Sequence, residues 1–302
     1  MRARYLIEVE GKSPTDFGVQ QAQKAMGQVG WAASLLGHQL PGGYWVIRAR
    51  SAREIYRPKF ISTNFSSIVL ADLGMTRSDP RIRRTAQVMI GWLDRVLAEK
   101  VPEHCLGGNA TRTLIRFGYL DHPTVQKSIR WLVRSQKSDG GWHCFPVRSG
   151  TLDCWEGLEA LADIPEGLRD ASTRRAIERG AEFYLKRELR KAGPGRYPPW
   201  VRIHYPNHYY YDLLVGLRVL TRLGYGADPR LGPALRWLGS KRRPEGTWAL
   251  DAVHPDEVLP PKYTYPQPVF PMMLEPIGRP SRWATVEALS VLARVESAQR
   301  SN

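Results

Sequence analysis

The chain has 302 residues, of which 42% are hydrophobic and 24% charged, with a formal net charge of +15. This is the balance of a globular protein with room for a sizeable core, and no stretch approaches the roughly 18 uninterrupted apolar residues of a membrane span. The start, MRARYLIEVEGKSP, holds only a short apolar run broken by Glu8 and Glu10, without the apolar centre of a secretory signal, so the chain reads as cytoplasmic. Its basic residues are scattered, with short groups at Arg81, Arg83 and Arg84, at Arg174 and Arg175, and at Lys241, Arg242 and Arg243, which read as solvated helix faces. No zinc-finger spacing, RNA-binding aromatic signature or polybasic tail is present, so nucleic acid is not an expected partner. Three cysteines make no disulfide framework, in keeping with a reducing compartment.

In chain order, apolar periodicity predicts a helix around Val19 to Leu36, the turn Pro41-Gly42-Gly43, Trp45, and a helix from Ser62 to Leu73. Asp79-Pro80 opens a second unit that passes Trp92, with a partner helix from about Gly107 to Phe117. In the third, Asp121 is the expected cap and Pro123 sits in the first turn, where its missing N–H costs nothing. That helix ends at Asp139-Gly140-Gly141, and its partner runs from about Leu152 to Leu161. The fourth has a helix from about Thr173 to Leu189, a Pro/Gly loop, and a helix from about Tyr209 to Leu223. Asp228-Pro229 opens the fifth, Glu245-Gly246 makes its turn, and the partner helix, near Trp283 to Val295, follows a long loop. No alternating strand pattern of any length occurs. The reading is all-α: one domain over 1–302 with five helical hairpins at about 18–75, 79–119, 121–164, 172–225 and 228–296.

Two of these units share a phrase. Residues 130–142 read RWLVRSQKSDGGW and residues 236–248 read RWLGSKRRPEGTW, with eleven residues from Trp131 to Trp142 and from Trp237 to Trp248. Pro123 and Pro229 each precede the first tryptophan by eight. Fixed self-similarity of this kind marks a repeat architecture, in which hairpins unable to bury their apolar faces alone stack on one another.

The phrase resembles the QW-type repeat of the terpenoid cyclase and protein prenyltransferase superfamily, the prenyltransferase and squalene-oxidase repeat proteins. Trp131, Gln136, Gly140, Gly141 and Trp142 carry it in full; Trp237, Gly246 and Trp248 carry it with Lys241 in place of the Gln. The stretches Arg57 to Thr63 and Cys105-Leu106-Gly107-Gly108-Asn109 are similar to small bacterial members. The resemblance covers most of residues 20–295. It implies an α/α toroid, with the first helix of each hairpin outside and the second inside, around an apolar, aromatic cavity that takes isoprenoid chains. The family's Asp-x-Asp-Asp acid and Asp-Asp-x-x-Asp magnesium site are both absent; Asp251 and His254-Pro255-Asp256-Glu257 form the nearest acidic cluster, at the wrong spacing. Prenyltransferase β subunits hold zinc with Asp-x-Cys and a later His, whereas here Asp153 and Cys154 are adjacent and His208 opens the next inner helix.

Candidate residues gather at inner-helix starts. Cys105, Cys144 and Cys154 with His208, or with Asp153 as the fourth ligand, could complete a tetrahedral zinc site, the one cofactor considered; the alternative is ordinary buried cysteines. In IHYPNHYYYDLL, Tyr209 or Tyr211 could wall a cavity and stabilise a cation, with Asp212 as a base, or the tyrosines form a packing seam with Asp212 bonded to an arginine. The expected catalytic set is thus Asp212, Tyr211 and Asp153. Thr63, Asn109, Trp155, His208, Tyr209 and Trp283 are the expected substrate contacts, although Thr63, Asn109 and Ser281 also suit helix caps. Residues 257–280, Pro-rich yet apolar, suggest a lid, a peripheral membrane contact or a docking patch. Two functions follow: a toroid handling an isoprenoid-like apolar small molecule, a transferase or a lyase or isomerase if catalytic, or a non-catalytic lipid-binding or protein-interaction scaffold on the same fold.

Overall fold

The computed structural model describes residues 1–45, 55–56, 61–191, 198–208, 210–253 and 275–301. Among these the secondary structure is helical, apart from isolated bridges such as Trp142 with Thr151. The helices are α1 (Arg2–Glu8), α2 (Phe17–Met26), α3 (Gly30–Gly37), α4 (Thr63–Asp72), α5 (Pro80–Leu97), α6 (His104–Arg116), α7 (Pro123–Ser135), α8 (Glu156–Ala162), α9 (Ala171–Lys186), α10 (Leu213–Arg222), α11 (Gly232–Ser240) and α12 (Arg282–Arg300).

Burial separates two layers. Every residue of α4 and of α8 is buried, as is nearly all of α6 and α10. By contrast α5, α7 and α9 bury one stripe each and leave their charged faces to solvent. The second helix of each hairpin is therefore the inner one. Helix α6 packs against α4 and α8, α10 against α8 and α12, and α12 against α1, which continues the circuit. Gly108 permits the tight approach of α6 to α8: a Cβ there would lie 2.9 Å from the Glu156 backbone.

The repeated tryptophan has a local job. The Trp142 indole N–H donates to the Leu132 carbonyl at 2.9 Å, and Trp248 donates to Leu238 at 2.8 Å. Trp45 does the same to Leu35 at 2.8 Å, so the first unit carries the device although its sequence is looser. Each bond goes to a carbonyl near the end of an outer helix, one of the last four, which lack the regular N–H partner four residues on. The glycine two residues before each tryptophan (Gly43, Gly140, Gly246) has φ between +83° and +92°, which reverses the chain.

Several expected boundaries shift. The first outer helix divides into α2 and α3, because Gly30 turns left-handed at φ +79°. His122 rather than Asp121 caps α7, its ring accepting the Thr124 N–H at 3.3 Å. Helix α10 begins at Leu213, not near Tyr209, because Asp212 caps it by accepting the Val215 N–H at 2.8 Å. Helix α1 was not anticipated.

Candidate functional site

The middle of the ring is occupied by chain. Residues 204–208 run through it, and His204, Tyr205, Asn207 and His208 are all buried. The Asn207 carbonyl accepts from Arg112 of α6 at 2.9 Å and its side-chain oxygen from Arg218 of α10 at 3.0 Å. Tyr205 stacks on Trp283 of α12 at 3.7 Å between ring centroids, and His208 meets Phe65 of α4 edge-on at 4.6 Å. One short segment thus touches four inner helices. On the described residues the centre holds polar backbone and charged side chains where the resemblance implied an apolar hollow.

A charged network surrounds that segment. In the C-terminal halves of the first four inner helices and at their ends stand Asp72 on α4, Arg112 and Arg116 on α6, Glu159 and the flanking Asp163 on α8, and Arg218 and Arg222 on α10; Glu287 from the N-terminal half of α12 and Arg4 on α1 join them. The sign alternates from helix to helix around the ring. Glu159, fully buried, pairs with Arg218 at 2.9 Å, Arg116 at 3.0 Å and Arg112 at 3.1 Å. Although burial opposes its charge, the Arg218, Arg116 and Arg112 guanidiniums hold its carboxyl well below the usual range. Glu287, also buried, is held low by Arg4 and Arg218, and Trp155 lies between Arg112 and Arg218, 4.9 and 5.4 Å from its ring centre.

This network forms the floor of a pocket of about 860 Å³ at the C-terminal face of the ring. Arg4, Arg116, Arg218, Arg222 and Arg294 line it, against Glu8, Asp72 and Glu287, with Trp283, Ala71, Ala162 and Ala298 between them. Part of this charge is internally used: Arg116 and Arg222 stand in the last turns of their helices, where the backbone dipole favours a cation. Two donors are left over. Arg218 Nη2 and Arg294 Nη1 are buried without a hydrogen-bond partner among the described residues, and burial lowers the pKa of Arg294, so this cation is under-compensated.

At the opposite end of α6 and α8 the three cysteines do come together. Cys144 Sγ lies 3.3 Å from Cys154 Sγ and accepts the Cys105 backbone N–H at 3.3 Å. Thiol hydrogen bonds from Cys105 and Cys154 hold the Cys144 thiol below its ordinary value, and those of Cys105 and Cys154 are pushed up in return. Beside them Glu156 is fully buried with neither carboxyl oxygen hydrogen-bonded among the described residues, and burial pushes its pKa well up.

His208 does not join this cluster. It sits against Phe65, and its carbonyl accepts from Asn109. Among the described residues no group of three or more His, Cys, Asp or Glu is arranged to hold a metal ion. The expected catalytic residues are structurally engaged. Asp212 caps α10 and meets His204 Nδ1 at 2.6 Å. The Tyr211 hydroxyl donates to the Leu189 carbonyl at 2.9 Å, and Asp153 accepts the Trp200 indole N–H at 2.8 Å, its pKa raised by burial. Thr63 bonds Trp45, Asn109 accepts from Arg112 at 2.8 Å in mid-helix, and Trp155 serves the arginines. Ser281 is the one of the three candidate caps that acts as one, accepting the Ala284 N–H at 3.0 Å. Among the described residues, Trp283 alone of the expected contacts lines the pocket. Tyr209, residues 57–60 and most of the 257–280 loop lie outside the described residues. Among the described residues no helix is long and apolar enough to cross a membrane.

The arginines were the residues that sequence reasoning missed. Their signal is spacing: Arg112 and Arg116 precede Gly118 by six and two residues, and Arg218 and Arg222 precede Gly224 by the same intervals.

No protein-family model matches the chain, and no curated protein does. Among solved structures it is similar to a protein from Actinoplanes, at 16% identity and a TM-score of 0.44 over 98% of this chain and 89% of that one. It is also similar to the type II terpene cyclase MstE from Scytonema in its apo form, at 15% identity and 0.30 over 93% and 98%. A variant of that cyclase bound to geranylgeranyl dihydroxybenzoate gives 14% and 0.31 over 93% and 97%. Likenesses this distant carry no weight for reaction or ligand.

Proposed function

We propose that this protein binds a small amphipathic molecule with an anionic head, of the prenyl diphosphate class, in the arginine-lined pocket. The carrying observation is the pocket wall, where Arg4, Arg116, Arg218, Arg222 and Arg294 outnumber Glu8, Asp72 and Glu287. Diphosphate oxygens suit a wall of guanidiniums, because a charge-assisted bond to guanidinium is stronger than a neutral one. The pocket's volume lies within the several hundred Å³ usual for small-molecule sites. The isoprenoid body rests on the repeat motif alone, with Trp283 and the three alanines as its contacts. A second reading, a scaffold without a resident ligand, is favoured by the filled centre of the ring.

Native mass spectrometry with added farnesyl diphosphate, inorganic diphosphate and farnesol separates the two. The proposal expects one bound farnesyl diphosphate, weaker inorganic diphosphate and no farnesol, with binding reduced at least tenfold by Arg294→Gln. Binding of none of the three leaves the scaffold reading, and binding of farnesol alone overturns the arginine site.

A further inference from the structure

We propose that Cys144 and Cys154 are an oxidisable thiol pair that reacts with hydroperoxides and closes to a disulfide. Three independent features place the chemistry. The two sulfurs are already 3.3 Å apart, so bond formation needs a shift of little more than 1 Å. Cys144 Sγ sits at the N-terminus of the thirteen-residue helix α6 and accepts the Cys105 N–H, a position that favours a thiolate. Access is one-sided: Cys144 is half-buried beside the exposed stretch 145–149, whereas Cys154 is 3% exposed. Cys144 is therefore the sulfur a peroxide reaches and Cys154 the one that resolves the product.

In the first step the Cys144 thiolate attacks the peroxide; an S–O bond forms, the O–O bond breaks, and the departing alkoxide or hydroxide takes from solvent the proton that Cys144 lost on ionising, leaving as alcohol or water. In the second, Cys154 sulfur attacks Cys144; the S–S bond forms, the S–O bond breaks, and water leaves with the Cys154 thiol proton. Both sulfurs are oxidised and the peroxide oxygens are reduced. The disulfide ties the loop closed by the Trp142–Thr151 bridge to the start of α8. Cys105 keeps its thiol.

Reduced full-length protein is treated with stoichiometric hydrogen peroxide, alkylated, and mapped by mass spectrometry without reductant. The expected result is a fall from three alkylatable thiols to one, a Cys144–Cys154 linked peptide, and recovery of all three after reduction with dithiothreitol. Cys105→Ser should leave the linkage intact, and Cys154→Ser should leave a Cys144 sulfenic acid that dimedone traps. A Cys105–Cys144 link, three thiols unchanged in excess peroxide, or stoichiometric zinc on the reduced wild type would each overturn the proposal. The wild-type map gives the answer even if a variant folds poorly.

Discussion

Replacing Glu159 with glutamine removes the one negative charge that Arg112, Arg116 and Arg218 share at 2.9–3.1 Å, with Arg222 a little further at 3.7 Å. Shape is kept and charge is lost, so the guanidiniums fall back on Asp72, Asp163 and Glu287. Arg112 and Glu159 are no more than 1% exposed, so water cannot compensate. Breaking a buried ion pair from one side costs about 3–5 kcal/mol, a large part of the roughly 5–15 kcal/mol that stabilises a domain. With a urea m-value of about 3 kcal/mol/M, the midpoint followed by tryptophan fluorescence should fall by about 1 M or more at unchanged slope. Glu182→Gln, whose partner Arg230 lies on the half-exposed outer surface, should cost under about 1 kcal/mol. The wild-type advantage has a pH window. Because the Glu159 pKa is depressed on folding, its stabilisation is present above the ordinary carboxylate pKa of about 4.3 and is lost as pH falls below that toward the folded value. A Glu159→Gln cost no larger than that of Glu182→Gln would refute the network as a structural core.

Three further outcomes are expected. Gly140→Ala should cost roughly 2–4 kcal/mol by calorimetric melting, since the residue sits at φ +92° and a Cβ would meet the Arg179 carbonyl oxygen at 2.3 Å. Its repeat counterpart Gly246→Ala, with only the Arg242 side-chain tip within 4 Å, should cost about 1 kcal/mol, and equal costs would contradict the packing difference. Trp142→Phe removes the indole bond to the Leu132 carbonyl, which keeps only a long Ser135 hydroxyl contact at 3.5 Å, and opens space in the core, a loss of roughly 2–4 kcal/mol in urea; a neutral result would deny the tryptophan its pinning role. Glu156→Met should stabilise the protein by roughly 1–3 kcal/mol at pH 8, because a buried carboxyl without partners is removed. The raised pKa makes folding take up a proton above the ordinary carboxylate pKa, so the gain should shrink toward pH 4; a gain independent of pH would contradict a Glu156 pKa raised by burial.

The hairpins were legible because their signature reports a local bond. A tryptophan ten residues after a carbonyl, with a glycine two before it, is a short-range device repeated at Trp45, Trp142 and Trp248. The cysteine cluster was legible for a similar reason, since Cys105 and Cys154 fall at or just before the starts of the adjacent helices α6 and α8 and Cys144 lies in the loop between α7 and α8. The charged centre was not. Arginine in a basic chain reads as surface, and only the shared register of Arg112 and Arg116 with Arg218 and Arg222 marks this set, of which Arg112 and Arg218 are buried. Helix α1 is seven residues long, and its tie to α12 runs through Arg4 with Glu287 and Glu8 with Arg294, contacts that no local pattern encodes. Asp212, expected inside the helix as a base or electrostatic partner, stands at its mouth and caps α10.

The pocket's role is tested most directly by isothermal titration of farnesyl diphosphate into the wild-type protein and into Arg222→Gln and Arg294→Gln at two salt concentrations. One site per chain, weakened at least tenfold by either substitution and weaker at high salt, is the predicted result. Binding that ignores both substitutions and salt, or no heat at all, would contradict an anion held by these arginines.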